Sequence, residues 1–182
     1  FGIVQGANYP WLREKCATRL IGMGFDGHAI GGVSVGEPEN LMLETVRAVA
    51  PFLPAGKPRY LMGVGMLHQT LEAVAQGVDM FDCVMPTRNG RNAMLFTSNG
   101  VINIDNKKWE RDFSVLDDGI DCEVSNFYSK AYLRHLIKAK EILGLTIASV
   151  HNLAFYCWLV HEARKHILSG DFSAWKSEMV LR

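Results

Sequence analysis

Strand and helix signals alternate along the first half of the chain with no hairpin signal between them, and this restricts the fold more than any other feature. Phe1 to Gln5 is a short apolar stretch closed by Gly6. A helical periodicity follows from Tyr9 to Met23, with Leu12, Cys16, Leu20 and Met23 at three- and four-residue spacing and Gly24 as its stop. The pattern repeats as a strand from His28 to Ile30, a helix from Glu39 to Val49 with Leu41, Leu43, Val46 and Val49 inward, and a strand from Arg59 to Gly65. A helix from Leu67 to Gln76 then leads into a fourth apolar stretch from Gly77. Such alternation predicts parallel strands joined by crossover helices. Each strand ends in glycine or a polar residue, and in an α/β barrel the carboxyl ends of the strands form the active face. The expected fold is therefore α/β, the last four βα units of a (β/α)8 TIM barrel. Four strands alone would leave open edges, and the chain opens without Met in an apolar strand, so it reads as the later part of a longer protein.

A chain of 182 residues can bury a sizeable core, and its 48% hydrophobic and 21% charged content is ordinary for a globular protein. The formal net charge is zero, so any nucleic-acid surface must be local rather than global. No apolar run or signal-peptide pattern stands out as a membrane segment. Cys16, Cys83, Cys122 and Cys157 show no disulfide rhythm, which predicts reduced thiols and a cytoplasmic protein.

The stretch from Gly77 to Arg91 carries the clearest chemical signal. It reads as a short buried strand, stopped by Pro86 and turned by Asn89-Gly90, that runs into a loop bearing Arg88 and Arg91. Asp82 lies among Phe81, Cys83 and Val84, where an ionised carboxylate is costly unless something pairs with it. Asp79 is three residues away and would point to the opposite face of a strand, so the two make a poor acid/base pair. A lone carboxylate fits a nucleophile better. By residue type alone, an Asp that holds a loop through backbone hydrogen bonds is the simpler reading.

Other residues add weaker signals. Gly31-Gly32-Val33-Ser34-Val35-Gly36-Glu37 lacks the spacing of nucleotide-binding loops, but its glycines would let backbone groups approach a flat ligand beside Gln5. Met62 could pack on a ring face, although plain core packing is the default for a methionine. Arg88 and Arg91 suit phosphate contacts. Lys107, Lys108 and Arg111, with Lys130, Arg134 and Lys138, could extend a basic track. Cys122 and His151 are two of the four ligands that a structural zinc would need, and no cysteine lies two to four residues beyond Cys122. After Arg91 the periodicity predicts a hairpin over 93–105 with Asn99-Gly100 as its turn, a polar segment over 107–119, a long amphipathic helix over 126–143, and a last helix over 152–168.

Together these blocks resemble the carboxyl half of the tRNA-guanine transglycosylase family. The resemblance runs through Phe1-Gly2-Ile3-Val4-Gln5-Gly6, Gly24-Phe25-Asp26-Gly27, 29–37, 57–65, Asp79-Met80-Phe81-Asp82-Cys83-Val84-Met85-Pro86-Thr87-Arg88, 128–133 and His151-Asn152-Leu153. It implies a barrel segment over 1–91, an inserted α+β subdomain over 92–150, and the final barrel helix and tail over 151–182. It further implies that Asp82 attacks C1′ of the ribose at the tRNA wobble position, that guanine leaves, and that a 7-deazaguanine takes its place. Gln5, Gly32 and Val33 match base-recognition positions, the last two through backbone groups. Met62 matches a residue packed on the base, and Arg88 and Arg91 match positions near the anticodon loop. Val35 fits the bacterial form, which takes preQ1, and a homodimer is the family's usual state.

One part of the family pattern is broken. The resemblance implies a zinc site at Ile120, Cys122, Ser125 and His151, and two of these positions offer no zinc-type ligand. Little or no tightly bound zinc is therefore expected, with packing of Phe113, Leu116, Phe127 and Tyr132 in its place. The family's further aspartates fall outside this chain, so the chain by itself is expected to be inactive. The competing reading is a non-catalytic tRNA-binding or dimerisation subunit of the same fold.

Overall fold

The computed structural model describes residues 1–181. They pack as two compact units, divided between Cys83 and Val84, somewhat earlier than residue 91.

The first unit is built on four parallel strands, β1 (Gly2–Val4), β2 (His28–Ile30), β3 (Arg59–Leu61) and β4 (Met80–Phe81), in that spatial order. Between them run α1 (Pro10–Gly22), α2 (Glu39–Val49) and α3 (Leu67–Ala75). Parallel strands need a crossover of about a dozen or more residues, and these connections each carry the helix that supplies it, where a hairpin would need only about two residues. The register aligns Val4 with Ile30, Ile30 with Leu61, and Leu61 with Phe81. Val4, Ile30 and Leu61 in this row are fully buried, each contributing about 1.5–3 kcal/mol. Helix faces differ from the predicted ones in detail. In α1 the buried residues are Arg13 and Ala17, while Met23 is exposed. In α2 the buried set is Met42, Thr45, Val46 and Val49, with Leu41 and Leu43 only half-buried.

The second unit comprises α4 (Met85–Arg91), the antiparallel pair β5 (Met94–Thr97) and β6 (Gly100–Asn103), α5 (Glu123–Phe127), α6 (Lys130–Lys138), α7 (Ile142–Ser169) and α8 (Phe172–Leu181). Its centre is α7. Gly144, Ile147, His151, Phe155, Leu159 and Ala163 are all buried and recur every three or four residues, so they form one face. Gly90 permits α4 to lie close on this helix, since a Cβ there would sit 3.0 Å from the Ala148 carbonyl. Gly170, with φ 82°, ends α7 in a left-handed cap.

Several expectations are corrected here. Residues 85–91, read as a loop, are helical, because Pro86 sits in the first turn where its missing N–H leaves nothing unpaired. The helix expected over 126–143 is broken twice, after Lys138 and at Tyr128-Ser129, where the Ser129 hydroxyl accepts from the Tyr132 N–H and starts α6 anew. The last helix begins ten residues early, at Ile142 rather than 152, and α8 follows it. The hairpin turns at Ser98-Asn99, since Thr97 pairs with Gly100. The sequence reading found no apolar run of membrane-spanning length, yet α7 meets that measure by length and composition. Its buried polar residues His151 and Asn152 and its packed face make it the core helix of this unit. Of the four residues expected to hold the inserted segment together, Leu116 is buried, whereas Phe113 and Phe127 are more than three-quarters exposed and Tyr132 is also exposed.

Candidate active site

The sheet register places the candidate residues before any chemistry is considered. One position beyond the aligned row Val4, Ile30, Leu61 and Phe81 come Gln5, Gly31, Met62 and Asp82. The carboxyl ends of four parallel strands thus present an amide, a glycine backbone, a thioether and a carboxylate side by side. All four lie in the first unit.

Asp82 is not inside a buried strand, because β4 ends at Phe81 and the carboxylate is exposed. It is held instead by hydrogen bonds. The Tyr60 hydroxyl donates to Asp82 Oδ1 at 2.6 Å, and the Gly63 N–H donates to the same oxygen at 2.8 Å. The Tyr60 bond above all, with help from Gly63, lowers the Asp82 pKa below the ordinary carboxylate value, and the same bond raises that of Tyr60. Asp82 is therefore ionised at neutral pH, with the hydrogen bonds from Tyr60 and Gly63 both on Oδ1. One oxygen is fixed and the other is open to attack an electrophile. Asp79 has a different task. Its Oδ2 accepts from the Arg59 N–H at 2.9 Å, so it fastens β4 to β3.

The loop after β2 forms the neighbouring wall. Gly32 has φ 64°, and a Cβ there would lie 2.5 Å from Gln5 Oε1, so the Gln5 amide rests against this glycine. Glu37 closes the loop by accepting from the N–H groups of Ser34 and Val35, the latter at 2.9 Å. Val33 is buried, Met62 is half-buried and Gln5 is exposed. From α1, Arg13 reaches the carbonyls of Ala7, Gly31 and Gly32. Burial lowers its pKa, opposed by nearby Cys16 and Glu37.

Arg88 and Arg91 are exposed on α4, in the second unit. The basic track proves to be interrupted. Lys138 pairs with Asp105 at 2.6 Å, Arg134 lies 3.7 Å from Glu110, and Lys108 and Lys130 sit over the Trp109 ring. A cavity of about 310 Å³ walled by Trp109, Asp117, Asp118 and Lys130 includes none of Gln5, Gly32, Val33, Met62 and Asp82.

The suspected metal ligands are differently employed. His151 is fully buried, with Nε2 2.9 Å from the Phe96 carbonyl and Nδ1 2.8 Å from the Ser125 hydroxyl. A carbonyl can only accept, so Nε2 carries the proton and the Ser125 O–H donates to Nδ1. Both ring nitrogens are thereby spent. Ile120 has no ligand atom and is buried, and among the described residues no group of three or more His, Cys, Asp or Glu converges as a metal site. The donor set at 120, 122, 125 and 151 does not fit tetrahedral zinc.

A sequence-family model described as queuine tRNA-ribosyltransferase matches residues 1–182. This chain belongs to the queuine tRNA-ribosyltransferase family. The queuine tRNA-ribosyltransferase of Natranaerobius thermophilus is 49% identical over 176 residues, covering 97% of this chain and 48% of the relative. Those of Caldanaerobacter subterraneus subsp. tengcongensis and Ruminiclostridium cellulolyticum are 49% and 48% identical, covering 99% and 100% of this chain and 48% and 49% of their own lengths. The chain spans about half the length of the curated relatives it matches. The family resemblance drawn from the motifs is borne out.

Sequence reasoning about this family member missed Tyr60 and Arg13. Tyr60 read as one more strand residue, and no local pattern says that its hydroxyl meets a carboxylate 22 positions later. Arg13 left a faint trace. It falls between Leu12 and Cys16 with the small Ala17 four residues on, a place on the inner side of α1 where a charge needs a partner.

Proposed function

We propose that the complete protein exchanges guanine at the wobble position of tRNA for the 7-deazaguanine preQ1, with Asp82 as the nucleophile. Asp82 Oδ2 attacks C1′ of the ribose as the C1′–N9 bond breaks, and guanine departs with the bonding pair and takes up a proton. The incoming base, deprotonated at N9, then attacks C1′ and releases the Asp82 carboxylate. Covalent catalysis of this kind divides one difficult displacement into two easier ones. The observation that carries the reading is the pair of hydrogen bonds to Asp82 Oδ1, which keep the carboxylate ionised and leave Oδ2 open.

Gln5, Gly32 and Val33 form the base-recognition wall in this reading, with Met62 on the ring face. Arg88 and Arg91 contact the RNA backbone around the anticodon loop. Four parallel strands with their polar ends together support the carboxyl half of a TIM barrel, with 92–150 as the inserted subdomain and 151–182 as the closing helix and tail. The protein works without tightly bound zinc, as a cytoplasmic homodimer. A non-catalytic tRNA-binding subunit is the alternative, and it gives no reason for a tyrosine and a backbone N–H to converge on one carboxylate.

The test uses the full-length gene product, unmodified tRNA and labelled guanine. Wild type is expected to incorporate label, and Asp82→Asn to lose all detectable incorporation. Wild type without exchange, or a mutant that exchanges equally well, ends the enzyme reading.

A further inference from the structure

Arg13 is 2% exposed, and its guanidinium meets only carbonyl oxygens. Nε donates to Ala7 O at 2.6 Å, Nη1 to Gly31 O at 3.0 Å and Val4 O at 3.5 Å, and Nη2 to Gly32 O at 3.3 Å. No carboxylate bonds to it among the described residues. A buried guanidinium is expensive, and an apolar side chain of similar volume would fill the same space without desolvating a charge. Its geometry shows what the charge achieves. In a regular strand successive carbonyls point to alternate sides, but the positive φ of Gly32 lets the carbonyls of Gly31 and Gly32 face one guanidinium together. Peptide units are planar and all are trans here, so each N–H points opposite to the carbonyl of its own unit. With those two carbonyls turned towards Arg13, the N–H groups of Gly32 and Val33 face away from it. Neither has a hydrogen-bond acceptor among the described residues.

We propose that Arg13 is a positioning residue for base recognition: by holding the Gly31 and Gly32 carbonyls it presents the Gly32 and Val33 N–H groups as a paired donor to the acceptor edge of a purine. This inference rests on the base-binding reading above and adds the residue that fixes the donor pair. Guanine shows adjacent N7 and O6 acceptors on one edge, which two neighbouring N–H groups match, whereas a 7-deazaguanine keeps only O6. Lysine cannot substitute, because a point charge cannot hold four carbonyls in a planar fork.

The experiment uses the full-length protein, with free guanine as the probe. Arg13→Lys and Arg13→Gln, the second without a buried charge, are each expected to weaken guanine binding about tenfold or more. Turnover at saturating guanine should change far less, so the loss appears in KM rather than kcat. A folded variant of either kind that binds guanine within about twofold of wild type overturns the proposal. A measurement on wild type needs no variant. Amide exchange at Gly32 and Val33 should be fast in the free protein and slow when guanine is bound, and protection without guanine overturns the proposed orientation. Wild type that binds no guanine removes the base-binding reading itself, whereas wild-type binding with unaffected variants removes only the role of Arg13.

Discussion

The Tyr60 hydroxyl stands 2.6 Å from Asp82 Oδ1 and donates to it, joining the middle of β3 to the residue just past β4. The bond does two things. It fixes the carboxylate without burying it, and it stabilises the ionised form.

Removing that donor should therefore change both rate and pH dependence. Asp82 has a lowered pKa, so the proposed nucleophile stays ionised as pH falls, and the acid limb of kcat/KM is expected below the ordinary value of 3.8. Tyr60→Phe leaves only the Gly63 N–H on Oδ1, and the acid limb should move upward. Exchange at neutral pH should drop by about tenfold, the order expected for one hydrogen bond to a charged group. A pH–rate profile of the full-length protein checks this. An unmoved acid limb would mean that the bond has no electrostatic role.

Gly32→Ala tests the wall beside the proposed nucleophile. The left-handed backbone at φ 64° disfavours any side chain, by about 1–2 kcal/mol. The added Cβ would also displace the Gln5 amide, which lies 2.5 Å from its position. Weaker guanine binding with a modest loss of thermal stability is expected, read by titration and by calorimetry. Unchanged binding would separate this glycine from the base.

Asn152→Ala should be among the more damaging substitutions in the second unit. The Asn152 side chain is fully buried. Its Oδ1 accepts from the Phe96 N–H at 3.0 Å, and its Nδ2 donates to the carbonyls of Pro86 and Met94 at 2.9 Å each. Deleting it removes three buried hydrogen bonds to the backbone, for a loss of about 3 kcal/mol. Urea unfolding measures the loss, and a change below about 1 kcal/mol would show that water replaces the amide.

His151 gives the stability of the second unit a pH dependence. Burial lowers its pKa from the ordinary 6.5, against smaller opposing effects of the Phe96 carbonyl and Asp117. The unfolded chain therefore takes up a proton at mildly acidic pH that the folded chain refuses. Its contribution is fully present above pH 6.5 and is lost as pH falls below that value towards the lowered one. Buried His28 is shifted the same way, mainly by desolvation, and adds to the slope in the first unit. Unfolding midpoints followed across this range should fall with pH, and less steeply in His151→Gln. Prolonged chelation should leave the midpoint unchanged, and preparations in metal-free buffer should contain no stoichiometric zinc. A midpoint that drops on chelation would restore a structural metal.

Much of the first unit was legible from residue order. The strand His28–Ile30 and the helix Glu39–Val49 have the predicted bounds, because glycines and prolines punctuate the chain there and the apolar spacing is unambiguous. The second unit was harder. Pro86 reads equally as a strand stop or as the first turn of a helix, and only the packing of α4 on α7 makes it the latter. The predicted helix over 126–143 failed for a similar reason. Ser129 looks like any polar surface residue until its hydroxyl is seen to accept from the Tyr132 N–H.

The sequence alone determined the alternation of strands and helices and the family. Those depend on short-range periodicity and on motifs that are contiguous in the chain. Tertiary structure decided how the chemistry is arranged. It exposed Asp82 and tied it to Tyr60, turned Arg13 inward onto a glycine pair, and gave both nitrogens of His151 to Ser125 and Phe96. Each of these is a hydrogen bond between residues far apart in sequence, set by strand register and helix packing, and local residue patterns carry no record of such distances.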